Sequence, residues 1–369
     1  MLALLARTGA PGRQIVWGGT RIRRITLQWI ALSLAAAALL AWLFSTSLAA
    51  RLFDWELALG TFTRLRWSWI CLSFIPIFGT YYGRALRWAV FLKPLKPQPS
   101  IPRLLSATVV GFTAITLFGR PGEFVRPYLI ARKESVPLSS QLAAWALERL
   151  FDLLMALLVF AFALTRVHSS GMQVGAKLSW VLAAGGRAAG AAGLGVLVTL
   201  LCLRHFADPV RRRVLSALHH LPEKRYRRIE HFFDSVVEGV RSTRSDGAMI
   251  AVFLYSLAEW ILICACYWCL ARGFQGLVNL SLIDVLILMG FISFGSVIQI
   301  PGVGGGMQVM SVLVLTELFR VRVELASSFA LLLWILTFVA IVPAGLFLGL
   351  KEGLDWHSLR RLGREATSE

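Results

Sequence analysis

Acidic residues are scarce in this chain. Twenty Asp and Glu stand against 38 Lys and Arg, and charged residues make up only 16% of 369 positions. A soluble domain carries roughly 25% charged residues. With 57% of the chain hydrophobic, a fully wetted surface of that kind is excluded. Histidine is sparse too: six residues sit near the ends of apolar blocks, with no HExxH or other metal spacing. The five cysteines, Cys71, Cys202, Cys264, Cys266 and Cys269, all fall inside apolar blocks. Cys266 and Cys269 form a CxxC without a second ligand pair, so they read as small apolar helix residues. A Walker-type phosphate loop is missing, which excludes ATP as the direct driver of any transport. No cofactor and no metal are expected. The short alternating segments of a membrane β-barrel are missing as well.

What the chain does have is uninterrupted apolar blocks. Crossing a hydrocarbon core of ~30 Å takes about 20 helical residues, and backbone in hydrocarbon must bond to itself. The blocks are Ile25–Phe44, Trp67–Tyr82, Ile101–Phe118, Leu138–Leu164, Leu178–Leu203, Ala248–Ala271, Leu282–Ile300, Gly306–Leu318 and Ala326–Leu350. Ile25–Phe44 follows a basic stretch, residues 1–24, and is longer than a signal-peptide core. It therefore reads as an uncleaved first helix with a cytoplasmic N-terminus. Residues 45–65 read as an external amphipathic stretch. Trp67–Tyr82 ends among Arg84, Arg87 and Lys93, which are expected to snorkel to the cytoplasmic interface.

The net charge of +18 lies in arginine clusters flanking these blocks. That places the cations at anionic headgroups rather than in a nucleic-acid groove. The most basic loop, 204–246, has to lie in the cytoplasm. It does so only if Ile101–Phe118 enters and returns without crossing. Treating the two pieces around Pro301 as one re-entrant hairpin puts the C-terminal tail, 351–369, inside as well. The expected fold is an all-α polytopic membrane protein with about six transmembrane helices and two re-entrant hairpin elements, the body spanning 25–350. Within 204–246, Lys224 to Arg228 followed by Phe232, Phe233, Val236, Val237 and Val240 reads as an amphipathic helix on the inner leaflet. A partner-binding helix has the same pattern.

The two re-entrant pieces resemble each other. Gly111-Phe112 precedes Pro121-Gly122 by ten residues, and Gly290-Phe291 precedes Pro301-Gly302 by eleven. Gly/Pro-interrupted segments at matched places in two halves point to a transporter site and an inverted repeat. Chance in a glycine-rich chain produces the same dipeptides.

The strongest constellation is Gly119-Arg120-Pro121-Gly122-Glu123-Phe124-Val125-Arg126, followed by Glu148-Arg149-Leu150-Phe151-Asp152. Charges in a membrane are costly unless paired. Glu148 and Asp152 are i,i+4, and Arg149 and Asp152 are i,i+3, so they share one helix side. Guanidinium is the preferred bidentate partner of phosphate, and an opened Pro/Gly turn frees N–H groups that can face an anion. The bland alternative is a cytoplasmic interface held by ordinary ion pairs. Glu259, mid-way along Ala248–Ala271, is a further candidate, as a proton carrier or as the partner of a buried arginine. Gln299 and Gln308 flank the Gly-rich turn and either line a polar path or satisfy opened backbone.

These runs resemble the flippase-like integral membrane proteins related to the membrane half of lysylphosphatidylglycerol synthase, the multiple peptide resistance factor. The carriers are R-x-G-E-x-x-R at Arg120, Gly122, Glu123 and Arg126, E-R-x-x-D at Glu148, Arg149 and Asp152, and P-G-x-G-G at Pro301, Gly302, Gly304 and Gly305. The Arg84 to Trp88 end of the second helix looks similar as well. The resemblance covers roughly residues 25–350. It implies lipid translocation between leaflets and two re-entrant segments framing a central cavity. Bifunctional relatives continue into a soluble synthase domain. This chain stops at Glu369, so synthase activity is not carried over.

Three functions compete. In the first, a flippase or scramblase, an anionic headgroup is held by Arg120, Arg126 and Arg149, while Glu123, Glu148 and Asp152 fix the arginines. The second is an integral membrane enzyme of lipid modification using those acids. The third is an accessory protein that docks a lipid-modifying enzyme through 204–246. Expected partners are membrane lipids with anionic headgroups, a lipid-modifying enzyme and further copies of the chain; nucleic acid is not expected. The expected location is a bacterial-type inner membrane.

Overall fold

Long apolar runs leave the backbone no partner but itself. Accordingly, the regular structure among the described residues is helical apart from one two-residue antiparallel pairing, Gln299–Ile300 with Gly304–Gly305. The structure is a computed structural model. It describes residues 53–169, 185–196, 198–199, 246–277, 279–296, 299–300 and 304–351, with isolated positions between 213 and 234. The 1–24 stretch, the Ile25–Phe44 block expected as the first span, most of 204–246, Pro301, Gly302 and the tail beyond Lys351 lie outside the described residues.

The elements are α1 (Trp55–Thr63), α2 (Trp67–Leu92), α3 (Ile101–Phe118), a 3-10 turn (Arg120–Phe124), α4 (Val125–Glu134), α5 (Leu138–Ser169), α6 (Asp246–Gly273), α7 (Leu282–Gly295), α8 (Gly306–Glu317), α9 (Val323–Trp334), a π-turn (Ile335–Val339) and α10 (Val342–Lys351). Among the described residues, Ile101–Phe118, Leu138–Val167, Asp246–Gly273 and Val323–Lys351 are long and apolar enough to cross a membrane.

The second helix ends at Leu92, beside Lys93 as expected, and runs through Arg84 and Arg87. Those two arginines do not snorkel: ion partners on other helices hold them inside. Two sequence boundaries change. The block Leu282–Ile300 stops being helix at Gly295, where close approach to α8 requires a glycine. A Cβ there would lie 2.2 Å from Met310 Cγ and 2.6 Å from the Gly306 carbonyl. The last block starts at Val323 and is broken by the π-turn. Pro343 can donate no backbone hydrogen bond there, and neighbouring hydroxyls reach the loosened carbonyls. Tyr81 Oη donates to Thr337 O (3.2 Å) and Thr116 Oγ1 to Phe338 O (3.1 Å). Broken helices survive at membrane depth when neighbours satisfy them in this way.

The packing has an internal correspondence. Helices α2, α3, α4 and α5 match α6, α7, α8 and the α9–α10 pair in order. α3 packs on α10 as α7 packs on α5; α3 packs on α4 as α7 on α8; α4 packs on α5 as α8 on α9. α2 and α6 pack on each other along their length. Gly111-Phe112 lies on α3 and Gly290-Phe291 on its match α7, so the repeated dipeptides occupy equivalent helices. One apolar core gathers around α5, α6, α7, α8 and α9, and a second around α2, α3, α4 and α5.

Candidate functional site

The charged residues converge although they come from four helices. α2 supplies Arg84 and Arg87, one turn apart on one face. The first turn of α4 supplies Arg126. α5 supplies Glu148, Arg149 and Asp152, and α6 supplies Ser256 and Glu259 at i,i+3. Helical spacing presents each set on one side of its helix, and the packing turns those sides toward one another.

Arg87 is the centre. Its Nη2 donates to Glu148 Oε1 at 2.7 Å, and its Nη1 donates to Asp152 Oδ1 at 2.7 Å and to Ser256 Oγ at 2.8 Å. The side chain has no accessible surface, and neither does Glu148. Glu148 also receives Arg126, whose Nη1 lies 3.1 Å from Oε1 and 2.9 Å from Oε2. Arg149 closes the outer edge, 2.9 Å from Asp152 Oδ2 and 3.4 Å from Glu148 Oε2. Glu259 pairs with Arg84 and faces Arg87 Nη2 at 3.3 Å.

The remaining surroundings of the arginines are aromatic. Arg126 stacks 4.2 Å above the Trp88 ring and Arg84 stacks 4.4 Å above Phe112. Such contacts hold a guanidinium in place without neutralising it. Trp88 is fixed in turn, its Nε1 donating to Gln141 Oε1 at 2.9 Å. Gly111 lets α4 come close, since a Cβ there would sit 2.6 Å from Arg126 Cβ.

Two features of the cluster bear on what it can bind. Four arginines face three carboxylates, so one positive charge is in excess. In addition, the Nε–H groups of Arg84, Arg87, Arg126 and Arg149 are all buried without an acceptor. Buried unsatisfied donors cost roughly 1–3 kcal/mol each. An anionic oxygen group supplies what is lacking, acceptors and negative charge. Three members of the cluster keep some exposure. The side chains of Arg149, Asp152 and Arg84 keep 34%, 17% and 14% of their accessibility, while the centre keeps none.

The sequence candidates divide accordingly. Arg126, Glu148, Arg149, Asp152 and Glu259 come together. Arg120 and Glu123 pair with each other at 2.9 Å on the 3-10 turn, with Arg120 more than half exposed and Glu123 near enough to act on the charge of Arg149. Gly122 seats that turn against α3, since a Cβ there would lie 2.3 Å from the Ala114 carbonyl. Gly304 and Gly305 form the strand pairing before α8, and Gln308 Oε1 accepts from the Gly305 N–H at 2.7 Å. Gln308 thus satisfies opened backbone. Pro301 and Gly302 lie outside the described residues. Sequence reasoning missed Arg87, Arg84 and Ser256 as site residues. The usable signal was the strength of the apolar run on both sides of Arg87, which continues to Leu92 and leaves no interface there for a snorkelling side chain.

The profile of the lysylphosphatidylglycerol synthase transmembrane region matches residues 28–345. The chain belongs to this family. It is a multi-pass membrane protein, as the family and the apolar helices both require. No curated protein and no solved structure gives a significant match to it.

Proposed function

We propose that this family member moves an anionic lipid, a phospholipid or a polyprenyl-phosphate type, between membrane leaflets. The observation that carries the reading is the cation-excess cluster with four buried, unsatisfied guanidinium donors. A phosphate entering at the Arg149 edge meets Arg149 and then Arg126 and Arg84. Glu148, Asp152 and Glu259 keep the empty site from being a bare positive cluster, so the resting state tolerates a low dielectric. Arg120 and Glu123, on the neighbouring turn, form an outer station at the mouth.

The wider arrangement follows from the same reading. The α3–turn–α4 and α7–turn–α8 hairpins re-enter the bilayer without crossing it, alongside about six full spans. On this reading the matched packing of the two halves reflects an inverted repeat, the usual frame for a central transport site. Both termini lie in the cytoplasm and the membrane is a bacterial-type inner membrane. A lipid-modifying enzyme is the natural partner, supplying or consuming the lipid, and a homo-oligomer fits the exposed apolar helix faces.

The enzyme reading is weaker because Glu148, Asp152 and Glu259 each hold an arginine and are not poised as general bases. The test is leaflet exchange of fluorescent phosphatidylglycerol in proteoliposomes, with phosphatidylcholine alongside. Faster exchange of the anionic lipid is expected. Folded protein that accelerates neither lipid sinks the reading.

A further inference from the structure

A groove of about 520 Å³ lies between α5, α6 and α7, and its lining is apolar. The volume is in the ligand-pocket range of roughly 300–1,000 Å³. Met155, Val159, Leu257, Ile261, Trp268 and Leu286 are among the residues that line it. The groove begins where the charged cluster ends. On α5, Arg149, Asp152, Met155 and Val159 follow at intervals of three or four residues, so charged edge and groove wall form one stripe of the helix. On α6, Glu259 is followed at once by Trp260, which also lines the groove.

From Leu257 to Trp268 the α6 wall covers twelve residues, a rise of roughly 16 Å at 1.5 Å per residue. That is about half of a ~30 Å hydrocarbon core, the depth of one leaflet. We infer that this groove is a subsite for one hydrocarbon chain of the anionic lipid whose headgroup sits at the Arg149 edge. Three observations select that occupant. The lining presents almost no polar surface to serve anything else, the cation excess lies at one end of it, and its length matches one leaflet. Leu257 and Ile261 on its rim are exposed apolar side chains, so the chain enters sideways from the lipid.

The inference rests on the proposed function for the identity of the headgroup, but its test does not need transport. The full chain in detergent is titrated with dioleoyl phosphatidylglycerol and with dihexanoyl phosphatidylglycerol, and binding is followed by native mass spectrometry. Ala265→Phe fills the groove. It is expected to weaken dioleoyl binding at least tenfold and to leave dihexanoyl binding within twofold. Leu286→Ala widens the groove, guards against a folding artefact, and is expected to bind dioleoyl lipid at least as well as the parent. If Ala265→Phe leaves both lipids unchanged, or weakens both equally, the subsite is refuted. Chain-dependent binding without leaflet exchange would refute the proposed transport and leave the groove standing.

Discussion

Nη2 of Arg87 meets Oε1 of Glu148 at 2.7 Å, and neither side chain has any accessible surface. Burial of that kind is costly for each ion alone, and removing one partner strands the other. The expected loss for Arg87→Met is about 3–5 kcal/mol, because Asp152 and Ser256 lose the same guanidinium. Arg87→Lys is expected to fall between the two, since one ammonium lacks the planar fork that serves several acceptors. The check is the unfolding midpoint of each variant in one detergent. A stability within 1 kcal/mol of the parent for Arg87→Met would contradict the central role given to this residue.

Arg149 sits at the opposite extreme of the same network, with a third of its side chain accessible. Partly exposed pairs contribute little to stability, about 0–1 kcal/mol. Arg149→Gln is therefore expected to fold nearly as well as the parent. Its binding of phosphatidylglycerol is expected to drop about tenfold, equivalent to ~1.4 kcal/mol, with phosphatidylcholine unaffected. The separation of the two readouts is the point. A loss of stability without a loss of anion selectivity would make Arg149 a structural pair member.

The amount of this that was legible in the sequence differs by level. The helices around Glu148 and Glu259 were readable because apolar runs of that length have one solution in lipid. Glu148, Arg149 and Asp152 were readable as a group because helix spacing is local. Arg87 was not, because its meaning depends on α5 and α6 lying beside α2, a contact between residues 61 and more positions apart. A cation near the end of an apolar run follows the snorkelling rule until such partners are known. Arg120 is less legible: its neighbours in sequence include Arg126, but the turn at Gly119, with φ of 69°, sets it on the 3-10 turn, where it pairs with Glu123. The matched dipeptides Gly111-Phe112 and Gly290-Phe291 were ambiguous as letters and became informative once equivalent helices held them.

Glycine positions give a purely steric test. Gly122→Ala would put a Cβ 2.3 Å from the Ala114 carbonyl oxygen, and Gly111→Ala would put one 2.6 Å from Arg126 Cβ. Contacts of that length must open, at roughly 1–3 kcal/mol. Gly111→Ala additionally pushes Arg126 off Trp88 and is expected to impair anion binding as well as stability. Gly83→Ala, where nothing lies within 4 Å, is the control. Inside α2 it is expected to be neutral or to stabilise by roughly 0.5–1 kcal/mol. Thermal melts of the three variants, with lipid binding for Gly111→Ala, decide the matter.

Glu259 offers the sharpest separation between a transport site and an ion-pair lattice. It is buried mid-way along α6, it pairs with Arg84, and its Oε2 faces Arg87 without accepting a hydrogen bond. Glu259→Gln leaves four arginines against two carboxylates. In a lattice that serves folding alone, this change weakens everything together. In a transport site it deepens the well for an anion, because Arg84 is released toward the ligand. A permeant must bind well enough to enter and weakly enough to leave. The expectation is therefore tighter binding of phosphatidylglycerol, by about tenfold, with slower leaflet exchange of the same lipid. Binding by native mass spectrometry and exchange in proteoliposomes should move in opposite directions. If both fall in parallel with the melting temperature, Glu259 acts through stability and not through the release of an anion.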